Sequence, residues 1–298
     1  MTVLRHGEGE AEQRILRGLR LAVELSVVIL ALEAVGALLS RSLSLTVDAV
    51  HNVPDIVAFA LSWSALRGTQ AGATAEFTFG KHRVEVFAGL FNGVIVLVTG
   101  VAFGYAAISA LVHSALFAGA VDPTWVLVVA APTLALRVVN LSALGRLPRP
   151  VRDLNLRSVV LHLGSDVAIT VALLVAGLTL LLRPQFAWAD GAAALVIAGL
   201  LVYESIPLLR GGWEVLTERT PRGLSVDGIT RSALSVPGVR EVHDLHVWAV
   251  CDSLVCLTAH VGVREVSMPG CMEITRQLRD RMERDFGIVH STFELEAA

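Results

Sequence analysis

Charge is what this chain lacks first. Only 17% of its 298 residues are Asp, Glu, Lys or Arg, against about a quarter in an ordinary soluble domain. With a mean hydropathy of +0.65, that shortage excludes a single water-soluble globule. It leaves a polytopic membrane protein with room for one small soluble domain. Cysteine is scarce too: Cys251, Cys256 and Cys271 are the only three. All lie in the last quarter, which excludes a disulfide framework and fits a reducing cytosolic tail. The N-terminus mixes acidic residues with Arg5, Arg14, Arg17 and Arg20, so it does not read as a cleavable signal peptide. There is no low-complexity segment, no histidine-rich tract and no His-Glu-x-x-His motif, which sets aside an intramembrane metal hydrolase. The net charge of −3 is sorted by loop and says little about partners. Membrane lipid is expected around the spans; nucleic acid is not expected as a partner.

Six apolar runs are present: Leu21–Leu39, Leu43–Leu66, Val84–Leu111, a run from Asp122-Pro123 to about Leu144, Leu154–Leu182 and Trp188–Leu209. Each is long enough to cross a bilayer, for which about 20 helical residues suffice. Asp122 as N-cap with Pro123 at the first helical position predicts the start of the fourth. Gly36, Gly89, Gly93, Gly100 and Gly104 suggest close helix approach. Basic residues mark the cytoplasmic side. They fall in the N-terminal segment, the Arg67–Arg83 linker, the Arg146–Arg152 linker and the segment after Arg210. The expected topology is therefore six transmembrane helices with both termini inside: a cytosolic segment over 1–20, a transport domain over 21–210 and a cytosolic domain over 211–298. In the last, an amphipathic helix over Ser225–Val236, strands over Val239–Val250 and Leu254–Val263, a charged helix over Met268–Phe286 and a strand over Ile288–Glu296 give the order αββαβ. That order suits a small α+β domain with its helices on one face of a sheet.

Ionisable groups inside apolar runs are costly and are functional by default. His51 and Asp55 are four apart in the second run, and His162 and Asp166 repeat the spacing in the fifth. On helices each pair shares one face, a turn apart. Two imidazoles and two carboxylates make a tetrahedral N2O2 set suited to Zn(II). Two carboxylate charges also cancel one divalent cation, and a neutral cluster is far cheaper to hold in a membrane than a bare ion. A lone His-Asp pair reads equally as a structural hydrogen bond; its recurrence at equal depth favours the metal. Asp48, one turn before His51, reads either as a carboxylate orienting that imidazole or as a charge balancing the helix dipole. Glu33 and Asn140 read as packing groups between helices, and Arg83 with Glu85 as a pair fixing the linker end. In the tail, strand alternation puts His243 and His246 on opposite faces. Cys251 and Cys256 flank a turn and are not expected to be ligands.

These residues carry a resemblance to the cation diffusion facilitator family of metal/proton antiporters, running nearly end to end. Glu33-Ala34-Val35-Gly36, Ser42-Leu43-Ser44-Leu45 and Asp48-Ala49-Val50-His51 resemble its first two spans. The stretch from Phe77 to Val86 with Asn92-Gly93 resembles its third, and Asn155-Leu156-Arg157 through Asp166 its fifth. Val242-His243-Asp244-Leu245-His246-Val247-Trp248 is similar to its cytosolic-domain signature. The resemblance implies proton-coupled efflux by alternating access, a transport site at His51, Asp55, His162 and Asp166, a homodimer and a ferredoxin-like cytosolic domain. The His-Asp/His-Asp set resembles the zinc-preferring subgroup rather than members with a third carboxylate. Mn, Fe, Co or Cd as substrate, or a non-transporting metal-sensing scaffold, stand as alternatives. In the tail, His243, His260 and His290 look like the family's regulatory metal positions. Three features depart from the pattern. Pro54 lies between His51 and Asp55, and Gly191 follows Asp190 where relatives often have Pro. The linker between spans four and five lacks the histidine cluster of eukaryotic vesicular transporters, so a bacterial-type exporter of the inner membrane is expected.

Overall fold

The structure is a computed structural model that describes residues 4–68, 74–80, 82–113, 121–145, 154–251, 254–264 and 267–297. Of the basic linkers read above, residues 69–73, 81 and 146–152 lie outside that set, as do the side chains of Glu85 and Asn155. Six long helices come first: α1 (Leu4–Ser40), α2 (Leu43–Gly68), α3 (His82–Val112), α4 (Pro123–Gly145), α5 (Leu154–Leu182) and α6 (Trp188–Leu216). The chain divides into two compact units, residues 1–72 with 91–209 and residues 73–90 with 210–298.

In the first unit, α1 and α2 form a tight hairpin. Arg41 adopts a left-handed backbone (φ 55°) and its amide donates to the Ala37 carbonyl (3.0 Å), closing α1 so that α2 begins at Leu43. Asp122 caps α4 as its position predicts, accepting from the Thr124 amide at 2.9 Å. α1 packs on α2 and α4, and α4 on α5. Small residues set some of these distances. A Cβ at Gly36 would stand 2.6 Å from Val129 Cγ2, and one at Gly100 2.9 Å from Val202 Cγ2. At Gly89, by contrast, a Cβ would meet nothing within 4 Å among the described residues. Leu45, Val47, Val129, Ile169, Leu173, Ile197 and Leu201 form the buried centre. Outward faces are equally apolar, with Phe91, Val98, Val101, Tyr105 and Val112 exposed along α3 and Val175 and Leu182 along α5. A helix hydrophobic all round has lipid as its solvent. Among the described residues, five helices, all but α2, are long and apolar enough to cross a membrane. Pro54 sits within α2, which is helical on both sides of it.

The helices outrun their apolar stretches. α1 begins at Leu4, not Leu21, and α6 ends at Leu216, not Leu209. Charged pairs stand at the ends of the apolar stretches: Arg20 donates to Glu24 at 2.8 Å, and Glu214 accepts from Arg219 and Arg222, both at 2.8 Å. The sequence reading pairs Arg83 with Glu85; in the structure Arg83 donates to Glu218 at 3.2 Å.

The second unit holds α7 (Val226–Leu234), β1 (Val239–Cys251), β2 (Leu254–Val263), α8 (Met268–Phe286) and β3 (His290–Ala297). Ser225 and Ser267 cap the two helices by accepting from the Gly228 and Gly270 amides, and Gly287 closes α8 in the left-handed region (φ 70°). The sheet runs β1-β2-β3, with β1 antiparallel and β3 parallel to β2. Its inner face (Val247, Leu257, Ala259, Val261) packs on Ile229 and Ala233 of α7 and Ile274, Leu278 and Met282 of α8.

That packing leaves the opposite face of the sheet open, and a bulge decides what it presents. Asp244 adopts φ 47°, and β1 pairs His243 with His260 and then His246 with Thr258. Three steps on one strand match two on the other, so His243 and His246 share the open face. The simple alternation read from the sequence, which separates them, is corrected by this one inserted residue. Cys251 and Cys256 are buried in the sheet.

Candidate metal centre

Helical spacing puts His51 and Asp55 on one face of α2 and His162 and Asp166 on one face of α5, and the two faces meet. His51 Nε2 lies 3.3 Å from Asp55 Oδ2 and 3.7 Å from Asp166 Oδ1. His162 Nε2 lies 3.0 Å from Asp55 Oδ1 and 4.0 Å from Asp166 Oδ1. One ligand atom from each of the four falls within 4.8 Å of the others. A cation held tetrahedrally at about 2.0–2.1 Å sets its ligand atoms about 3.4 Å apart, in the middle of these spacings. His51 and Asp55 are almost wholly buried, at 2% and 5% exposure. Asp55 Oδ2, Asp166 Oδ1 and both nitrogens of His51 are buried without a hydrogen-bond partner. Buried polar atoms in that condition cost free energy, and a divalent cation among them would satisfy three at once.

Beneath this quartet lies a second buried cluster centred on Arg137 of α4, 2% exposed. Its Nη1 donates to the Asp166 carbonyl (2.7 Å) and to Thr170 Oγ1 (2.6 Å). Its Nη2 donates to Asp48 Oδ1 (2.9 Å) and Glu33 Oε1 (3.1 Å), and Glu33 also accepts from Asn52. One guanidinium thus ties α1, α2, α4 and α5 together directly behind the quartet. Asp48 is therefore committed to Arg137. Asp48 Oδ2 and His51 Nδ1 both have no hydrogen-bond partner, so no hydrogen bond joins Asp48 to that imidazole here. Glu33, read as a packing group, is an ion-pair partner, while Asn140 is buried with its Oδ1 unpartnered.

The carboxylate that does approach a histidine of the quartet from behind is one the sequence reading passed over. Glu204 of α6 accepts a hydrogen bond from Ser165, and its Oε2 lies 3.6 Å from His162 Nδ1. An acid in the middle of an apolar run was the available signal. Asp190, noted only for the glycine after it, anchors the start of α2. It accepts from Ser42 Oγ and Ser44 Oγ, both at 2.5 Å, and from the Leu43 amide at 2.7 Å. At Gly191 a Cβ would lie 3.3 Å from the Leu111 side chain, so glycine lets α6 start against α3.

The open face of the sheet carries a second group. His260 Nδ1 lies 2.7 Å from Glu296 Oε1 and His243 Nε2 lies 3.2 Å from Glu296 Oε2, with the two rings 5.4 Å apart. Asp244 and Glu294 stand 3.6 and 3.7 Å from His260 Nε2. Glu296 holds His260 charged, so that its pKa is raised; the Glu294 and Asp244 carboxylates add to this and desolvation opposes it. His290 does not join this group within the chain. The parallel register sets His260 opposite Glu294 and His290 opposite Cys256, at the far end of β3, where Phe79 packs edge-on against it. Glu296 takes the third place instead.

Two family models match the chain: the cation efflux transmembrane domain over residues 19–217, and the cytoplasmic domain of cation efflux proteins over residues 221–298. The metal cation efflux system protein CzcD of Cupriavidus metallidurans is 29% identical over 282 residues, 95% of this chain and 87% of that protein. The cadmium, cobalt and zinc/H(+)-K(+) antiporter of Bacillus velezensis is 27% identical over 90% of this chain and 84% of its own length. The proton-coupled zinc antiporter SLC30A8 of Xenopus tropicalis is 27% identical over 79% of this chain and 67% of its own. Among solved structures, the metal-bound C-terminal domain of the CzcD transporter from Cupriavidus metallidurans is 32% identical with a TM-score of 0.23, spanning 24% of this chain and 99% of that one.

Proposed function

Because the chain belongs to the cation diffusion facilitator family of metal cation transporters, we propose that it exports divalent metal ions, zinc foremost, from the cytosol in exchange for protons. The observation that carries this reading is the quartet of His51, Asp55, His162 and Asp166, three of them buried and His162 half-buried. Two carboxylates neutralise one divalent cation, and two imidazoles complete a tetrahedral set that suits zinc. Such ligands bind metal only when deprotonated, so loading releases protons and unloading takes them up. Exposing the quartet to each side of the membrane in turn converts that linkage into antiport. The proposed frame is six spans with both termini in the cytosol of a bacterial cell, a ferredoxin-like tail and a homodimeric assembly. His243 and His260, joined by Glu296, form the proposed regulatory metal site of that tail.

Zinc flux with an internal pH reporter in proteoliposomes tests the reading. Asp55→Ala and Asp166→Ala are expected to abolish both zinc uptake and the coupled pH change. Wild-type flux from either variant removes these carboxylates from the site. The Bacillus relative's name supports a second substrate range that includes cadmium and cobalt, and a panel of competing ions in the same vesicles separates the two.

A further inference from the structure

Resting on the transport site proposed above, we infer that Glu204 is a fifth side chain of that site: a positioning carboxylate, brought in on a third helix, that fixes the ring of His162 and so sets the site's affinity and its choice among divalent ions. An imidazole has two nitrogens. In His162, Nε2 faces Asp55 at 3.0 Å and Asp166 at 4.0 Å, so Nδ1 points away from the other ligands. Glu204 Oε2 stands at that outer nitrogen, 3.6 Å off. The carboxylate is not loosely placed. Ser165, one residue before the ligand Asp166, engages Glu204 Oε1 and lies 2.8 Å from the His162 carbonyl. Oε2 is left buried with no hydrogen-bond partner. The His162 Nδ1 that faces it at 3.6 Å can give it one through its N–H. A small closure of that gap, when Nε2 is drawn onto a cation, completes a carboxylate–histidine–metal relay. Such outer carboxylates fix the tautomer of a ligating histidine and raise its basicity.

His51 makes the contrast that gives the arrangement meaning. Its Nδ1 is buried without a partner, so the α2 half of the site has no equivalent brace. Closing the Glu204 gap onto Nδ1 would hold the α5 half in one orientation, with Ser165 bracing the carboxylate. A ligand fixed in that way favours an ion whose bond lengths fit the fixed geometry. It penalises a larger ion that needs the ring to move. Glu204 therefore acts on discrimination between zinc and cadmium as well as on affinity.

The experiment uses the full-length protein in proteoliposomes, measuring KM and maximal rate for zinc and the zinc-to-cadmium rate ratio. Glu204→Gln keeps the size of the side chain and an oxygen for Ser165 but removes the charge. It is expected to raise the zinc KM about ten- to hundred-fold, with little change in maximal rate, and to lower the zinc-to-cadmium ratio. Glu204→Asp keeps the charge but draws it back by one methylene, and an intermediate KM and ratio are expected. A wild-type KM and ratio in Glu204→Gln overturn the inference and leave Glu204 as a polar contact between α5 and α6. If Glu204→Gln does not fold, Glu204→Asp decides alone: wild-type values overturn, shifted values support. Failure of the wild-type protein to move zinc, or full activity in Asp166→Ala, counts against the transport site itself and is thereby told apart from a failure confined to Glu204.

Discussion

Two His-Asp pairs separated by more than 100 positions were legible as one candidate cluster because each side chain is out of place in an apolar run and the spacing repeats. Arg137 and Glu204 obey the same logic but occur singly, and a single charge gives no spacing to read; only the packing of α4 and α6 against α5 shows what they touch. Arg137 has a measurable consequence. Arg137→Met leaves Glu33 and Asp48 buried without their cation, a loss of about 3–5 kcal/mol for a broken buried ion pair. A lowered melting temperature in detergent is expected, partly recovered when Glu33→Gln and Asp48→Asn are added. On the sheet, His260 and Glu296 titrate as a linked pair. The His260 pKa is raised above its ordinary 6.5, chiefly by its hydrogen bond to Glu296, and that bond in turn lowers the Glu296 pKa below 4.5. The histidine's contribution to stability is whole below pH 6.5 and is lost as pH rises through its folded value. The carboxylate's contribution is whole above pH 4.5 and is lost as pH falls through its own folded value. In chelator-treated protein the stabilising effect of Glu296 over Glu296→Gln is therefore expected to peak between these limits and to fade in alkaline buffer, as followed by thermal melts at a series of pH values.

Element boundaries were legible where a single physical signal ends sharply. α5, β2 and α8 span the residues that periodicity and composition assign to them. α1 and α6 run on because a helix needs only backbone hydrogen bonds and tolerable side chains, not continued hydrophobicity. Long-range caps are invisible to local reading. Asp190 belongs to α6 by position and to α2 by function, since all three of its hydrogen bonds go to the first residues of that helix and the turn before it. Asp190→Ala strips those donors of their acceptor. A loss of roughly 3 kcal/mol or more is expected, at about 1.5–3 kcal/mol for each hydrogen bond to a charged group. Asp190→Asn, which keeps one acceptor oxygen, is expected to lose less in the same detergent melts.

At the scale of the whole molecule, the proposed topology places the α3–α4 turn outside the cell and the end of α6 inside. In a background with the three native cysteines replaced, Asp122→Cys is expected to react with an impermeant maleimide in intact spheroplasts. Glu218→Cys is expected to react only in inverted vesicles. The opposite pattern would reverse the orientation. The membrane-spanning character of the long apolar runs was legible in the sequence, because a bilayer imposes one length and one solvent on every span; among the described residues five helices, not six, are long and apolar enough to cross. The face of a sheet that a residue occupies was less so, because one left-handed residue resets the count.

That residue, Asp244, divides β1 in two. Upstream and downstream halves of β1 are each held by apolar side chains seated on the helices: Val242 and Leu245 on either side of it, and Val247 beyond. Removing Asp244 would leave Val242, Leu245 and Val247 alternating strictly with His243 and His246, two steps against two, so the apolar side chains would stay on the helices and both imidazoles on the open face. An exposed loop usually forgives a change in length. Here a strand would forgive one too: a single-codon deletion at Asp244 removes only the residue that the β1–β2 register leaves over.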